Sequence, residues 1–275
     1  MTVPVPDVVL ALADGDRMSL SWENEVGGLT YEVGAGSRRR FVKWAPADSG
    51  IDLTAEAARM RWARPFHPVP EVLDTGSMPG DAGPDGGAGP GGAGPGGTWL
   101  VTAALPGLRA SDRRWRADPA IAVTAIGEGL RAMHDALPPG ECPFSWTAEA
   151  RLADARSKVA GGQMRADRWH TCHKVLGIDR ALELAASIPP EDQRVVCHGD
   201  ACAPNTLLGP DGRWTGHVDL GLLGVADRWA DIAVATWSAE WNYGPGWEGL
   251  LLDAYGIAPD PDRTRYYRLL WDLSS

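Results

Sequence analysis

The alternation of apolar and polar residues changes period several times along the chain, and each change predicts an element. Residues 18–22 (MSLSW), 30–33 (TYEV) and 40–44 (RFVKW) alternate with period two, as half-buried strands do. Gly27-Gly28 lies between the first two and predicts a hairpin turn. Residues 53–62 (LTAEAARMRW) switch to helical spacing, with Leu53, Ala57 and Met60 on one face. Residues 80–97, GDAGPDGGAGPGGAGPGG, contain no helix or strand former and predict a flexible insertion. Glycine recurs at every third position only from 80 to 92, too short a run for collagen. A strand restarts at Thr98 and ends at Pro106-Gly107. Pro119–Ala136 reads as a helix through Ile121, Thr124, Ala125, Leu130 and Met133, stopped by Pro138-Pro139. Ala148–Ala160 and residues 169–187 predict two further helices with Gly161-Gly162 between them. Short strands follow at 195–197, 206–208 and 214–218, then a helix from Asp231 and terminal helices reaching Asp272.

With 275 residues the chain has room for one large domain or two lobes and a sizeable core. A net charge of −10 argues against a nucleic-acid partner. No apolar run approaches the roughly 20 residues of a membrane span, and MTVPVPDVV lacks the basic and apolar regions of a signal peptide. The expectation is a cytoplasmic protein with no membrane partner. Cys142, Cys172, Cys197 and Cys202 form no C-x-x-C pair, and with His170, His173 and His198 they fit no common zinc spacing, so reduced thiols are expected. Tryptophan is abundant, 13 residues against three Phe. Most belong to a core, but Trp229, Trp237, Trp241 and Trp247 crowd late in the chain, where such rings can also wall a binding site.

The densest chemistry lies in residues 195–231, VVCHGDACAPNTLLGPDGRWTGHVDLGLLGVADRWAD. An apolar strand delivers His198-Gly199-Asp200 to a loop, and Asn205 follows after four residues. The turn Gly209-Pro210-Asp211-Gly212 then returns the chain through a second strand to Asp219-Leu220-Gly221. Such a hairpin can bring Asp200, Asn205 and Asp219 to one place. Phosphoryl transfer needs that set: one group to orient the acceptor hydroxyl and accept its proton, and others to hold Mg²⁺ on the phosphates. In protein kinases the strings are H-R-D-x-x-x-x-N and D-F-G. Here they are H-G-D-A-C-A-P-N and D-L-G, with the same Asp-to-Asn spacing.

CHGDACAPN and HVDLGLLGVADRWADIA resemble the two central motifs of the aminoglycoside O-phosphotransferase family of antibiotic kinases. The resemblance implies an α+β, two-lobed, protein-kinase-like fold. Residues 1–102 would form a β-rich nucleotide-binding lobe carrying the 80–97 insertion, 103–107 a hinge, and 108–275 a mainly helical catalytic and acceptor-binding lobe. It implies ATP or GTP as donor, Mg²⁺ as cofactor and a small-molecule antibiotic as acceptor. Asp200 takes the base position, and Asn205 and Asp219 the metal positions. Lys43, in RRFVKWAP, becomes the phosphate lysine, with Glu56 as its ion-pair partner. An unpaired ammonium in an apolar strand would in any case be costly. Gly27 and Gly28 stand over the phosphates, with Gly27 where the family carries a serine, and the Ala103 and Ala104 backbone meets the nucleobase. Asp231 and His198 brace the loop, and His134 packs at a helix end. Asp227, Glu240 and Asp272 are the candidate acceptor contacts. An aminoglycoside leads as acceptor, with another sugar-bearing antibiotic (nucleoside or peptide type) or a non-catalytic nucleotide-binding role as alternatives.

Overall fold

The computed structural model describes residues 5–80 and 96–274. The chain divides into two compact units, Met1–Pro65 with Val69–Leu105, and Phe66–Pro68 with Pro106–Ser275. The architecture is α+β, as expected.

The first unit contains α1 (Asp7–Ala13), β1 (Met18–Glu23), β2 (Leu29–Val33), β3 (Arg40–Pro46), α2 (Leu53–Ala63), β4 (Val72–Met78) and β5 (Gly97–Ala103). The strands form one antiparallel sheet in the order β1-β2-β3-β5-β4. Period-two alternation sends Leu29, Tyr31, Val33, Val42 and Trp44 into one core with Val9 and Ala13 of α1. Lys43, between Val42 and Trp44, belongs to the other face, paired with Thr30 and Leu100 across the neighbouring strands. α2 packs on that unit's β4 and β5. Its start is fixed by Asp52, whose Oδ1 accepts from the Thr54 and Ala55 N–H groups at 2.9 and 3.1 Å. The Thr54 hydroxyl, more than those amides, holds the Asp52 carboxyl below its usual range despite partial burial.

α1 went unforeseen in the sequence pattern. Its seven residues read as a short apolar run, and what secures it comes from β3: Arg40 Nη2 donates to the Leu12 and Ala13 carbonyls at 3.1 and 3.0 Å. β4 and β5 pair with Met78 opposite Gly97, so the Gly/Pro tract joins adjacent strands of one sheet. The flexibility expected of that tract concerns residues 81–95, which lie outside the described residues.

The second unit runs β6 (Leu108–Arg109), α3 (Arg113–Arg116), α4 (Pro119–Ala136), α5 (Ala148–Ala160), α6 (Thr171–Lys174), α7 (Ile178–Ala185), β7 (Arg194–Cys197), β8 (Thr206–Leu208), β9 (Trp214–His217), β10 (Gly224–Asp227), α8 (Trp229–Tyr243), α9 (Glu248–Tyr255) and α10 (Pro261–Ser274). β8 and β9 are the hairpin expected around residues 209–212, with Thr206 opposite His217, and β6 extends it to three strands. β7 pairs instead with β10, Gly224 opposite Cys197. The core gathers around α8, where every residue from 229 to 239 is buried; a helix apolar on all sides sits inside its unit. No helix among the described residues is long and apolar enough to cross a membrane.

The single helix expected over residues 169–187 is a correction. The chain forms α6, then α7, with Gly177 between them at φ +71°. That left-handed conformation interrupts a helix and is one glycine adopts at little cost.

α4 and α9 approach closely because α4 carries glycine at the crossing. A methyl group at Gly127 would stand 2.7 Å from the Leu251 carbonyl oxygen and 2.8 Å from Ala254 Cβ. Gly127→Ala is expected to destabilise the protein by about 1–3 kcal/mol, the usual range for overpacking. The urea-unfolding midpoint checks this, and an unchanged midpoint would contradict the close packing.

Candidate functional site

The catalytic residues proposed from the motifs are assembled by β7, the β8–β9 hairpin and β10. β7 ends at Cys197, and the loop that follows is shaped by Gly199 at φ +84°. A side chain at Gly199 would run into the backbone and Cβ of Leu222, so only glycine fits there. The loop closes in a short helical turn, Ala203–Asn205. From it the Asn205 Nδ2 donates to both the backbone oxygen and the Oδ2 of Asp200, each at 2.9 Å. Asp200 and Asn205 are therefore brought together. Asp219 follows β9 closely and adopts φ +64°, unusual for a non-glycine residue. The Val218 N–H donates to the Asn205 carbonyl at 3.0 Å, tying the Asp219 stretch to the same loop.

Behind the loop lies Asp231, fully buried in the first turn of α8. Its carboxylate accepts from the His198 and Gly199 N–H groups at 2.5 and 2.9 Å, and meets His134 Nε2 at 3.0 Å. His134 Nδ1 in turn meets the Tyr255 hydroxyl at 2.8 Å. Burial opposes ionisation of Asp231. The hydrogen bond and charge of His134, with His198, outweigh it and hold the carboxyl below its usual range.

His198 accepts the Asp200 N–H on Nδ1 at 3.2 Å, so Nε2 carries the hydrogen donated to the Val218 carbonyl at 2.9 Å. Both ring nitrogens are committed to the backbone. Ser238 was not foreseen: its Oγ accepts the Ala203 N–H at 2.9 Å. Asp231 and Ser238 stand seven residues apart, two turns along one face of α8, a spacing that was visible as a signal in the sequence.

The acidic candidates fall in different settings. Asp227 is buried, and its oxygens accept from the Asp192 and Trp229 N–H groups and Arg263 at 2.7, 2.9 and 3.3 Å. That arrangement braces β10 against α10 rather than opening toward a ligand. Asp272 is buried too, with Oδ2 on His173 Nδ1 at 2.6 Å and the His170 N–H at 3.0 Å. Glu240 is exposed at the end of α8.

In the first unit, Lys43 Nζ meets Glu56 Oε1 at 2.7 Å, both side chains largely shielded from water. Gly27, at φ +82°, and Gly28 form the β1–β2 turn. Asn24 organises that turn. Its Oδ1 accepts from Val26 and Gly28 N–H at 3.1 and 2.6 Å, and its carbonyl accepts from Gly27 N–H at 3.3 Å. The Ala103 and Ala104 N–H groups donate to the Glu71 and Arg39 carbonyls at 2.9 and 3.1 Å.

Two outcomes follow from the second unit's buried polar groups. Asp231→Ala leaves two loop N–H groups and His134 without their acceptor, and should cost about 3–5 kcal/mol. A loss below ~1 kcal/mol in chemical denaturation would contradict the bracing role. Separately, His67 Nε2 and His217 Nδ1 lie 2.8 Å apart in a buried pair, His67 stacked on Trp214. Burial, then the neighbouring imidazoles, lowers His67 from 6.5 to about 4 and holds His217 well below its usual value. Both are neutral when folded and bind protons more readily when unfolded. The His67 contribution is full above pH ~6.5 and is lost as pH falls toward ~4, roughly 3 kcal/mol, and that of His217 is lost in the same direction. Thermal melts should show that slope, and His67→Phe should flatten it.

Comparison with known proteins converges on one family. A model of the phosphotransferase enzyme family matches residues 23–267. An aminoglycoside 3′-phosphotransferase of Streptomyces fradiae is 34% identical over 263 residues, covering 90% of this chain and 91% of the relative. A streptomycin 3″-kinase of Streptomyces griseus is 34% identical over 253 residues, covering 85% and 84%. Among solved structures, an aminoglycoside phosphotransferase of Streptomyces rimosus superposes with a TM-score of 0.76 at 29% identity, covering 98% of this chain and 99% of that one. The same enzyme has been solved with ADP and streptomycin. Its match, like that to a 3′-phosphotransferase of type VIII at TM-score 0.77 and 29% identity over 97% and 98% of the two chains, extends to both units. With the Asp200–Asn205 pair on its braced loop, the chain belongs to the phosphotransferase enzyme family: it is a small-molecule kinase of protein-kinase-like fold.

Proposed function

We propose that the protein transfers the γ-phosphoryl group of ATP or GTP to a hydroxyl of an aminoglycoside, inactivating the antibiotic. The observation that carries this reading is the hydrogen-bonded Asp200–Asn205 pair held on a loop pinned by Asp231. The names and bound ligands of its relatives support the acceptor class.

Asp200 accepts the acceptor hydroxyl proton while the hydroxyl oxygen bonds to the γ-phosphorus and the bond to the nucleoside diphosphate breaks. Both amide hydrogens of Asn205 face Asp200, which leaves its Oδ1 as the end available to a cation. Asn205 Oδ1 and the Asp219 carboxylate are hard oxygen donors of the kind Mg²⁺ prefers, so these residues fit the ion. When bound, its contribution is to neutralise phosphate charge. Lys43, held by Glu56, supplies a second positive charge to the phosphates. The Gly27-Gly28 turn covers them, and the Ala103-Ala104 backbone borders the nucleobase. Among the acidic candidates Glu240 has the exposure that an acceptor contact needs, whereas Asp227 and Asp272 act through the side chains they hold.

Asp200→Ala is expected to lower kcat for nucleotide diphosphate release by about 10²–10⁴-fold. Nucleotide binding, followed by calorimetry, should persist. The assay uses ATP and GTP with streptomycin, hygromycin B and aminoglycosides bearing a free 3′-hydroxyl. Substantial turnover in the variant would remove Asp200 from the chemistry.

A further inference from the structure

α8 is buried on every side from residue 229 to 239 and emerges into solvent at Glu240 and Trp241. Trp241 is 47% exposed. Single exposed apolar side chains are common on any surface and carry no message. Trp241 differs in being the outer member of a cluster of tilted and edge-on aromatic rings. Its ring lies 5.0 Å from that of Trp237, tilted by 38°. Trp237 meets His170 at 4.8 Å, His173 at 5.6 Å and the Arg268 guanidinium at 5.5 Å. The inner indole is almost wholly covered, so of the two indoles Trp241 is the one with surface to offer.

The cluster is also held in place. Asp272 fixes His173 at 2.6 Å, and Arg268 is held by Glu248 and Thr236 at 3.1 and 3.0 Å. A platform so supported presents its outer ring with little loss of side-chain freedom on binding. Its position relative to the chemistry follows from the helix. Ser238, which holds the Ala203 N–H in the Asp200 loop, lies three residues before Trp241. Residues so spaced are neighbours on one helix face, about 5–6 Å apart at Cβ. Asn242 completes the link, donating to the Ser238 carbonyl at 2.8 Å.

Acidic side chains, Asp272 and Glu240, act on the Cys172 thiol beside these rings. Glu240 is exposed beside Trp241, and Arg268 is already matched by Glu248. Burial, with the charges of Asp272 and Glu240, raises the Cys172 thiol near the same rings despite Arg268. An aromatic face bordered by carboxylates attracts cations through the ring quadrupole as well as through charge.

We propose that Trp241 is an acceptor-binding residue, on whose outer face a cationic amino or guanidino group of the acceptor stacks, with Glu240 supplying opposing charge. The assignment rests on the aminoglycoside reading and adds to it the group recognised and the side chain that recognises it.

Steady-state kinetics of the full-length protein test it, with saturating ATP and any aminoglycoside the wild type turns over. Trp241→Ala should raise the acceptor KM about 5- to 30-fold, the ratio corresponding to a ~1–2 kcal/mol cation–aromatic contact. The kcat and nucleotide KM should stay unchanged, and Trp241→Phe should restore most of the affinity. A purely structural role would not produce a further effect: N-acetylation of an amine-bearing acceptor should weaken binding to the wild type more than to Trp241→Ala. An acceptor KM within twofold of wild type in Trp241→Ala, with normal wild-type turnover, overturns the inference alone. Failure of the wild type to phosphorylate any aminoglycoside overturns the functional reading, and this inference with it.

Discussion

A carboxylate can be buried without water only where donors converge on it, and Asp231 is the point around which the second unit satisfies that demand. The N–H groups at positions 198 and 199 must both turn inward to reach it. That requirement bends the chain at Gly199 into a left-handed conformation and sends Asp200 forward out of the loop. The remaining side of the carboxylate is covered by His134 from α4, which leans on Tyr255 from α9. Three helices must therefore assemble before the loop has its shape. The loop is an extension of the core, and its rigidity is borrowed from packing well behind Asp200.

The first unit solves a smaller version of the same problem. Lys43 is carried on the sheet face opposite the α1 core, and Glu56 reaches it from the first turn of α2. One strand and one capped helix suffice, because a salt link between two side chains needs fewer supports than a loop with two backbone donors to satisfy.

Much of this was readable in residue order. The period-two strands around Lys43, the 209–212 turn and the helical run through Leu130 each announce themselves locally, and the Asp200-to-Asn205 spacing within a loop-and-hairpin pattern points to one shared place for the two residues. What stayed hidden depends on partners distant in sequence. α1 is a short apolar run until Arg40 caps it, and β10 reads as part of a motif rather than as a strand until β7 pairs with it. Asp227 belongs to a motif, yet its oxygens are claimed by Arg263 and the Asp192 amide, 36 and 35 residues away. Gly177 misled for a different reason. A single glycine is tolerated inside many helices, and residue order does not disclose that this one takes a positive φ.

Cys197 ends β7 immediately before the loop, wholly buried, its Sγ directed at the Asp227 carbonyl 3.4 Å away. Burial, with nearby carboxylates, pushes its thiol well above the ordinary range. Both conditions silence it toward electrophiles while β7 and β10 remain paired. Cys172, whose thiol is raised as well, is exposed to reagent in the folded chain. The chain therefore carries its own clock: the rate at which Cys197 becomes reactive measures how often the strand beneath the Asp200 loop breathes, against an exposed thiol that marks reagent access.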